Sequence, residues 1–231
     1  MMPRRLDVPW RKPDSSCVLL LAGADQLTYG NTITDLSGNN NHGTITGATW
    51  VRLSSGLWVV YFADNTQKIT ITDAASLDFG TNSFFIVIWV YKIDANGDLL
   101  GTSQSTTNGT WGFSFNSSTG MRMYWRDDDG NISYNQHTIT NFDSKWCCYG
   151  LVVNHDDHKS YIYQNGVLQD SQAYPDMTFT SNQNLLLHDF PTRQWTPDIY
   201  YYALPRIMKG RIPYAGELEN IYNQERHLFN I

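Results

Sequence analysis

An all-β fold, two antiparallel sheets packed face to face, is what this chain predicts, and three observations carry the prediction. Aromatic residues make up 14% of the 231 residues and charged residues only 16%, and sequence rich in aromatics and threonine favours strands. Short apolar segments alternate with turn signals at close spacing, among them Asn96-Gly97, Asp129-Gly130 and Asn165-Gly166. Such punctuation belongs to a sandwich or barrel. The only glutamates are Glu217, Glu219 and Glu225, and every other acid is aspartate, a turn former. That division predicts strands and turns for most of the chain and one helix at its end.

The elements follow in order. Residues 1–14 hold Pro3, Pro9 and Pro13, which block regular pairing. They read as an extended basic arm ahead of a single domain over 15–231. Strands are expected over 17–22, 42–46, 57–62, 67–72, 83–93, 98–101, 110–116, 120–126, 131–138, 145–154, 159–165, 184–188 and 198–204. The run Phe84-Phe85-Ile86-Val87-Ile88-Trp89-Val90-Tyr91 lacks polar alternation. A strand apolar on both sides is covered on both sides, which makes this the central strand. Near the end, Leu218, Ile221, Tyr222, Glu225 and Leu228 recur at three-four spacing. Pro213 precedes them and the glutamates lie in or near the first turns, which predicts a short helix over about 215–227.

Charge and cysteine usage exclude several classes. Net charge is −6. The first thirteen residues carry Arg4, Arg5, Arg11 and Lys12 against Asp7, or +3, which leaves −9 on the remainder. A body this acidic excludes a nucleic-acid-binding domain. The arm residues Arg4, Arg5, Trp10, Arg11 and Lys12 are candidates for docking on an acidic neighbour in an assembly; the alternative is a solvated tail. Cys17, Cys147 and Cys148 form an odd set without a framework spacing and read as buried free thiols, with Cys147 and Cys148 on opposite faces of one strand. No Cys/His spacing of metal type stands out. No segment reaches the roughly 18 apolar residues of a membrane span. Cys17 to Ala22 is too short for a signal core, so the chain is expected to be a mature fragment or to reach the outside by assembly, as virion proteins do.

The run Asp35-Leu36-Ser37-Gly38-Asn39-Asn40-Asn41-His42-Gly43-Thr44, continuing through Gly47-Ala48-Thr49-Trp50 to Val59-Val60-Tyr61-Phe62, resembles the opening of laminin-G-like domains of the concanavalin A-like lectin/glucanase superfamily. Further pieces in the same order are similar: Ile69 to Phe79, Ser83 to Val90, the hairpin Tyr161-Ile162-Tyr163-Gln164-Asn165-Gly166, and Tyr200 to Leu204 followed by Glu217-Leu218 and Ile221-Tyr222. Departures stand at Phe62-Ala63-Asp64-Asn65, Trp146-Cys147-Cys148 and Pro213. The resemblance implies a jelly-roll sandwich and a lectin-like surface module for glycan recognition or adhesion. The alternative is a structural or decoration protein of a virion or other assembly. Hydrolases of that superfamily carry a Glu-x-Asp-x-x-Glu strand. No such string exists here, and no expected strand holds a glutamate, so an enzyme is not expected.

Two segments offer hard oxygen ligands. Asp35 to Gly43 would suit calcium, or would close a turn through its own side chains. Asp127-Asp128-Asp129-Gly130 is the densest acid cluster, with Asp127 and Asp129 the metal candidates; the alternative is a hairpin closed by a type I′ Asp129-Gly130 turn. If that two-residue turn forms, Met121, Met123 and Trp125 pack inward with Ile132 and Tyr134. Arg122, Tyr124 and Arg126 then share the outer face with Ser133, Asn135 and His137. A ring beside guanidinium and amide donors suits a sugar, whose C–H face stacks on aromatics while its hydroxyls meet planar polar groups. The candidate glycan site is therefore Arg122, Tyr124, Arg126, Asn135 and His137, with Trp111 and Trp195 as neighbours. The tripeptides Asn108-Gly109-Thr110, Asn116-Ser117-Ser118 and Asn131-Ile132-Ser133 match the N-glycosylation pattern, as an Asn- and Ser-rich chain does by chance.

Overall fold

Two antiparallel sheets account for nearly all of the regular structure. The structure is a computed structural model that describes residues 14–21, 30–93, 97–102, 109–126, 131–141, 143–179, 182–188 and 200–231. The strands are β1 (Cys17–Leu20), β2 (Thr32–Ile33), β3 (Gly43–Thr46), β4 (Thr49–Arg52), β5 (Trp58–Phe62) and β6 (Lys68–Ile71). Next come β7 (Phe84–Lys92), β8 (Gly97–Thr102), β9 (Trp111–Ser117), β10 (Gly120–Arg126) and β11 (Ile132–Thr138). The remainder are β12 (Trp146–Asn154), β13 (Lys159–Gln164), β14 (Val167–Ala173), β15 (Leu185–Leu187) and β16 (Tyr200–Lys209). Among the described residues there is one α-helix, α1 (Glu217–Glu225), which runs into a 3-10 turn over Arg226–Phe229. The first sheet has the order β14-β13-β12-β7-β16-β5-β4, with β1 added on β16; the second has β11-β10-β9-β8-β15-β6-β3-β2.

The expected strands are present, and three more lie between them: β2, β4 and β14. Strand β7 explains its own composition. Phe84, Ile86, Ile88 and Val90 point into the core between the sheets. Phe85, Val87 and Trp89 point the other way, into a second apolar layer with Leu218, Leu228 and Phe229. The helix and the 3-10 turn thus roof the outer face of the first sheet, which is why the run has no polar side.

Charge fixes that roof. Glu225 is only 5% exposed. Its carboxylate accepts two bonds from the Arg206 guanidinium at 2.7 and 2.8 Å and one from the Trp89 indole at 2.8 Å. At the other end Arg211 makes a forked pair with Glu217 at 2.7 and 2.9 Å, in the first turn where a carboxylate also opposes the helix dipole. The hairpin turn Asn165-Gly166 has φ of 53° and 81°, the two left-handed residues of a type I′ turn. A Cβ on Gly166 would stand 2.5 Å from the Glu219 Cα, so glycine there also lets the helix lie on the turn.

All three cysteines are buried and free. Cys147 faces the inter-sheet core and Cys148 the layer under the helix, as alternation along a strand requires. Burial raises all three thiols, Cys17 to about 11.

Candidate functional site

The face expected to bind sugar exists, but its membership changes. Arg126 pairs with Ile132, Tyr124 with Tyr134 and Arg122 with Gln136. Five residues, 127–131, separate the strands rather than a two-residue turn. The pairing is thereby offset by one residue, and a one-residue offset turns every side chain of β11 over. Asn135 and His137 consequently leave the face. Asn135 donates to the Ala173 carbonyl at 2.7 Å. His137 is fully buried, with Nε2 2.9 Å from the Ser160 hydroxyl. In their place Ile132 and Tyr134 stand 44% and 52% exposed.

Tyr124 keeps its side of the sheet yet is 3% exposed. Its ring lies across Gly112, where an added Cβ would meet the phenol oxygen at 2.0 Å. A sugar cannot stack on a ring so covered. Trp111 belongs to the core, packed on Phe79 and Phe84 at 5.5 and 5.1 Å. What remains accessible is the exposed Tyr134 ring with half-buried Arg122 over it at 4.6 Å, and Gln136 bonded to Arg122 and to Asn116; Arg126 is half-buried beside them. Trp195, the metal candidates Asp127 and Asp129, and the arm residues Arg4, Arg5, Trp10, Arg11 and Lys12 lie outside the described residues.

The Asp35 loop closes on itself. Asp35 Oδ1 accepts from the Leu20 and Ser37 amides at 2.9 Å each, and Oδ2 accepts from the Ser37 hydroxyl at 2.7 Å and the Asn41 amide at 2.9 Å. His42 Nδ1 accepts from the Asp35 amide at 3.0 Å. With four donors spent on it, this buried carboxylate is a turn organiser. Asp35→Ala strands buried amides and is expected to cost about 2 kcal/mol of unfolding free energy, measured by denaturant titration.

A second surface escaped the sequence. Strands β12, β7, β16 and β5 lie side by side, and their register aligns Trp146, Tyr91, Tyr201 and Tyr61 in one cross-strand row. Tyr61 and Tyr201 rings are 4.6 Å apart, Tyr91 stands edge-on to Tyr201 at 5.7 Å, and Phe229 supports Trp146 from the helix side at 4.6 Å. The row borders a cleft of about 340 Å³ lined by Val51, Leu53, Tyr91, Ile93, Trp146 and Tyr201. None of these six residues is charged. Burial, then the neighbouring Tyr61 and Tyr91, raises the Tyr201 phenol above its ordinary range, so the Tyr201 hydroxyl enters as a neutral donor and acceptor. Amphipathic rings around a concave floor are a common ligand-site composition. The signal was the set of four aromatics, but their alignment required the register.

Comparison with known proteins bears on the family and the fold. Residues 30–198 match the family model described as Clostridium neurotoxin, N-terminal receptor binding. Among solved structures, the binding domain of Paraclostridial Mosquitocidal Protein 1 superposes with a TM-score of 0.72 at 17% identity, over 90% of this chain and 52% of that one. The receptor-binding domain of botulinum neurotoxin D gives 0.70 at 12% identity, over 91% and 53%. The botulinum neurotoxin serotype G binding domain gives 0.69 at 16%, over 89% and 50%. This chain therefore spans about half the length of the structures it matches. No curated protein matches it in sequence. These findings correct the laminin-G and concanavalin A-like assignment, and the virion expectation falls with it: both the family model and the structural neighbours are those of clostridial-type toxins.

Proposed function

Because the chain belongs to the Clostridium neurotoxin N-terminal receptor-binding family, we propose that it is a non-catalytic binding module that engages a receptor at a cell surface, outside the cell that makes it. Its ligand is a glycan, and the observation that carries this is the uncharged aromatic cleft of Tyr91, Trp146 and Tyr201. The apolar faces of a neutral hexose would lie on the rings while its hydroxyls exchange bonds with the phenols. Interleaving of chain-adjacent strands between the two sheets supports a jelly-roll winding that holds the row in place. Among the described residues no helix is long and apolar enough to cross a membrane.

A second surface has its own support. The Arg122–Tyr134 pair with its amide partners offers the local positive charge that an acidic sugar needs. On a glycan array, Trp146→Ala is expected to weaken binding of neutral glycans by about tenfold, or about 1.4 kcal/mol. Arg122→Ala should leave those spots alone and dim only acidic ones. Neutral-glycan binding that survives Trp146→Ala unchanged removes the cleft as the site.

A further inference from the structure

Two histidines and one aspartate converge away from both surfaces. His155 and His158 flank the turn between β12 and β13, and Asp176 follows β14. His155 Nε2 is 3.6 Å and His158 Nδ1 is 4.0 Å from the same Asp176 oxygen, and one ligand atom from each of the three lies within 4.8 Å of the others. Ligand atoms bound to zinc at about 2.0–2.1 Å in a tetrahedron stand about 3.3 Å apart, so a small closure converts this triangle into a coordination site. The sequence shows His155-x-x-His158, but the third member comes from beyond an entire hairpin.

We propose that His155, His158 and Asp176 bind a transition-metal dication, of which zinc fits the two-imidazole, one-carboxylate donor set best. His158 Nδ1 is shut off from solvent and has no hydrogen-bond partner, the state of a donor awaiting a ligand. His155 is oriented by a second group. The Tyr174 hydroxyl donates its one proton to the Asn154 carbonyl at 3.2 Å, which leaves it to accept from His155 Nδ1 at 3.4 Å. That arrangement puts the lone pair on Nε2, toward Asp176, as metal-bound histidines commonly require. Two further carboxylates, Asp156 and Asp157, lie between the two histidines in the same turn. Bound metal would tie the β12–β13 turn to the segment after β14.

Calorimetric titration of the intact chain with zinc chloride near neutral pH tests this, alongside thermal melting. Expected are one zinc per chain, a zinc-dependent rise in melting temperature, and affinity weakened roughly tenfold or more in His158→Asn and in His155→Gln. Asparagine tolerates the positive φ of 52° at position 158, so His158→Asn decides the question even if His155→Gln fails to fold. His227→Asn, at an exposed histidine elsewhere, should bind as the parent does. Absence of zinc binding by the parent, retention of full affinity by His158→Asn, or loss of the signal in His227→Asn overturns the site.

Discussion

Glu225→Ala lowers the unfolding free energy by about 3–5 kcal/mol, the cost of breaking a buried ion pair by removing one partner. Arg206 and Glu225 are 8% and 5% exposed. The carboxylate serves a guanidinium on β16 and an indole on β7 at once. Alanine takes the counter-charge from a buried cation and the acceptor from a buried N–H together. Glu225→Gln keeps an acceptor for Trp89 but not the charge, and falls between alanine and the parent. The double change Arg206→Met with Glu225→Leu recovers most of the loss, because well-packed apolar residues replace buried pairs at little cost. Urea titrations read all three. A loss under about 1 kcal/mol for Glu225→Ala would mean that the roof is held by packing alone.

Stability also falls as the medium is acidified, and the buried His137 is one reason. Burial, only partly opposed by Asp170, pushes its pKa from 6.5 down to about 4. In the unfolded chain the ring takes up a proton near 6.5; in the folded chain it stays neutral until about 4. Its contribution is complete above the unfolded value and is lost between the two as the pH falls. The full span is worth about 3 kcal/mol. His137→Leu should be less dependent on pH across that window, whatever its stability at neutrality. Equal slopes of unfolding free energy against pH in parent and variant would show that the ring is not held neutral.

Much of the fold was legible because turn chemistry and alternation are local. Asn165-Gly166 announced its hairpin, the apolar run over 84–91 announced a strand covered twice, and the glutamates announced the helix. The register between β10 and β11 was not legible. Asp129-Gly130 has the chemistry of a tight turn, yet five residues separate the strands, and nothing local distinguishes the two pairings. His137 and Asn135 were misplaced for that reason alone. Tyr124 and Trp111 were misread for another: a strand aromatic fits an open face or a packed one, and the hole at Gly112 that receives Tyr124 is a feature of the neighbouring strand. The aromatic row that borders the cleft draws on residues 61, 91, 146 and 201, whose adjacency is a product of sheet order. The opening run misled on family because turn, short strand, tryptophan and apolar strand are what any two-sheet sandwich needs in that order.

The buried thiols carry a consequence for where this domain can work. Thiolate is the species that alkylating agents, peroxides and disulfides attack, and Cys17, Cys147 and Cys148 are all held protonated by their surroundings. With two of them on opposite faces of one strand and the third on another strand, no covalent link has to form or break for the sheets to close. Once folded, the domain keeps the same covalent structure in a reducing or an oxidising medium.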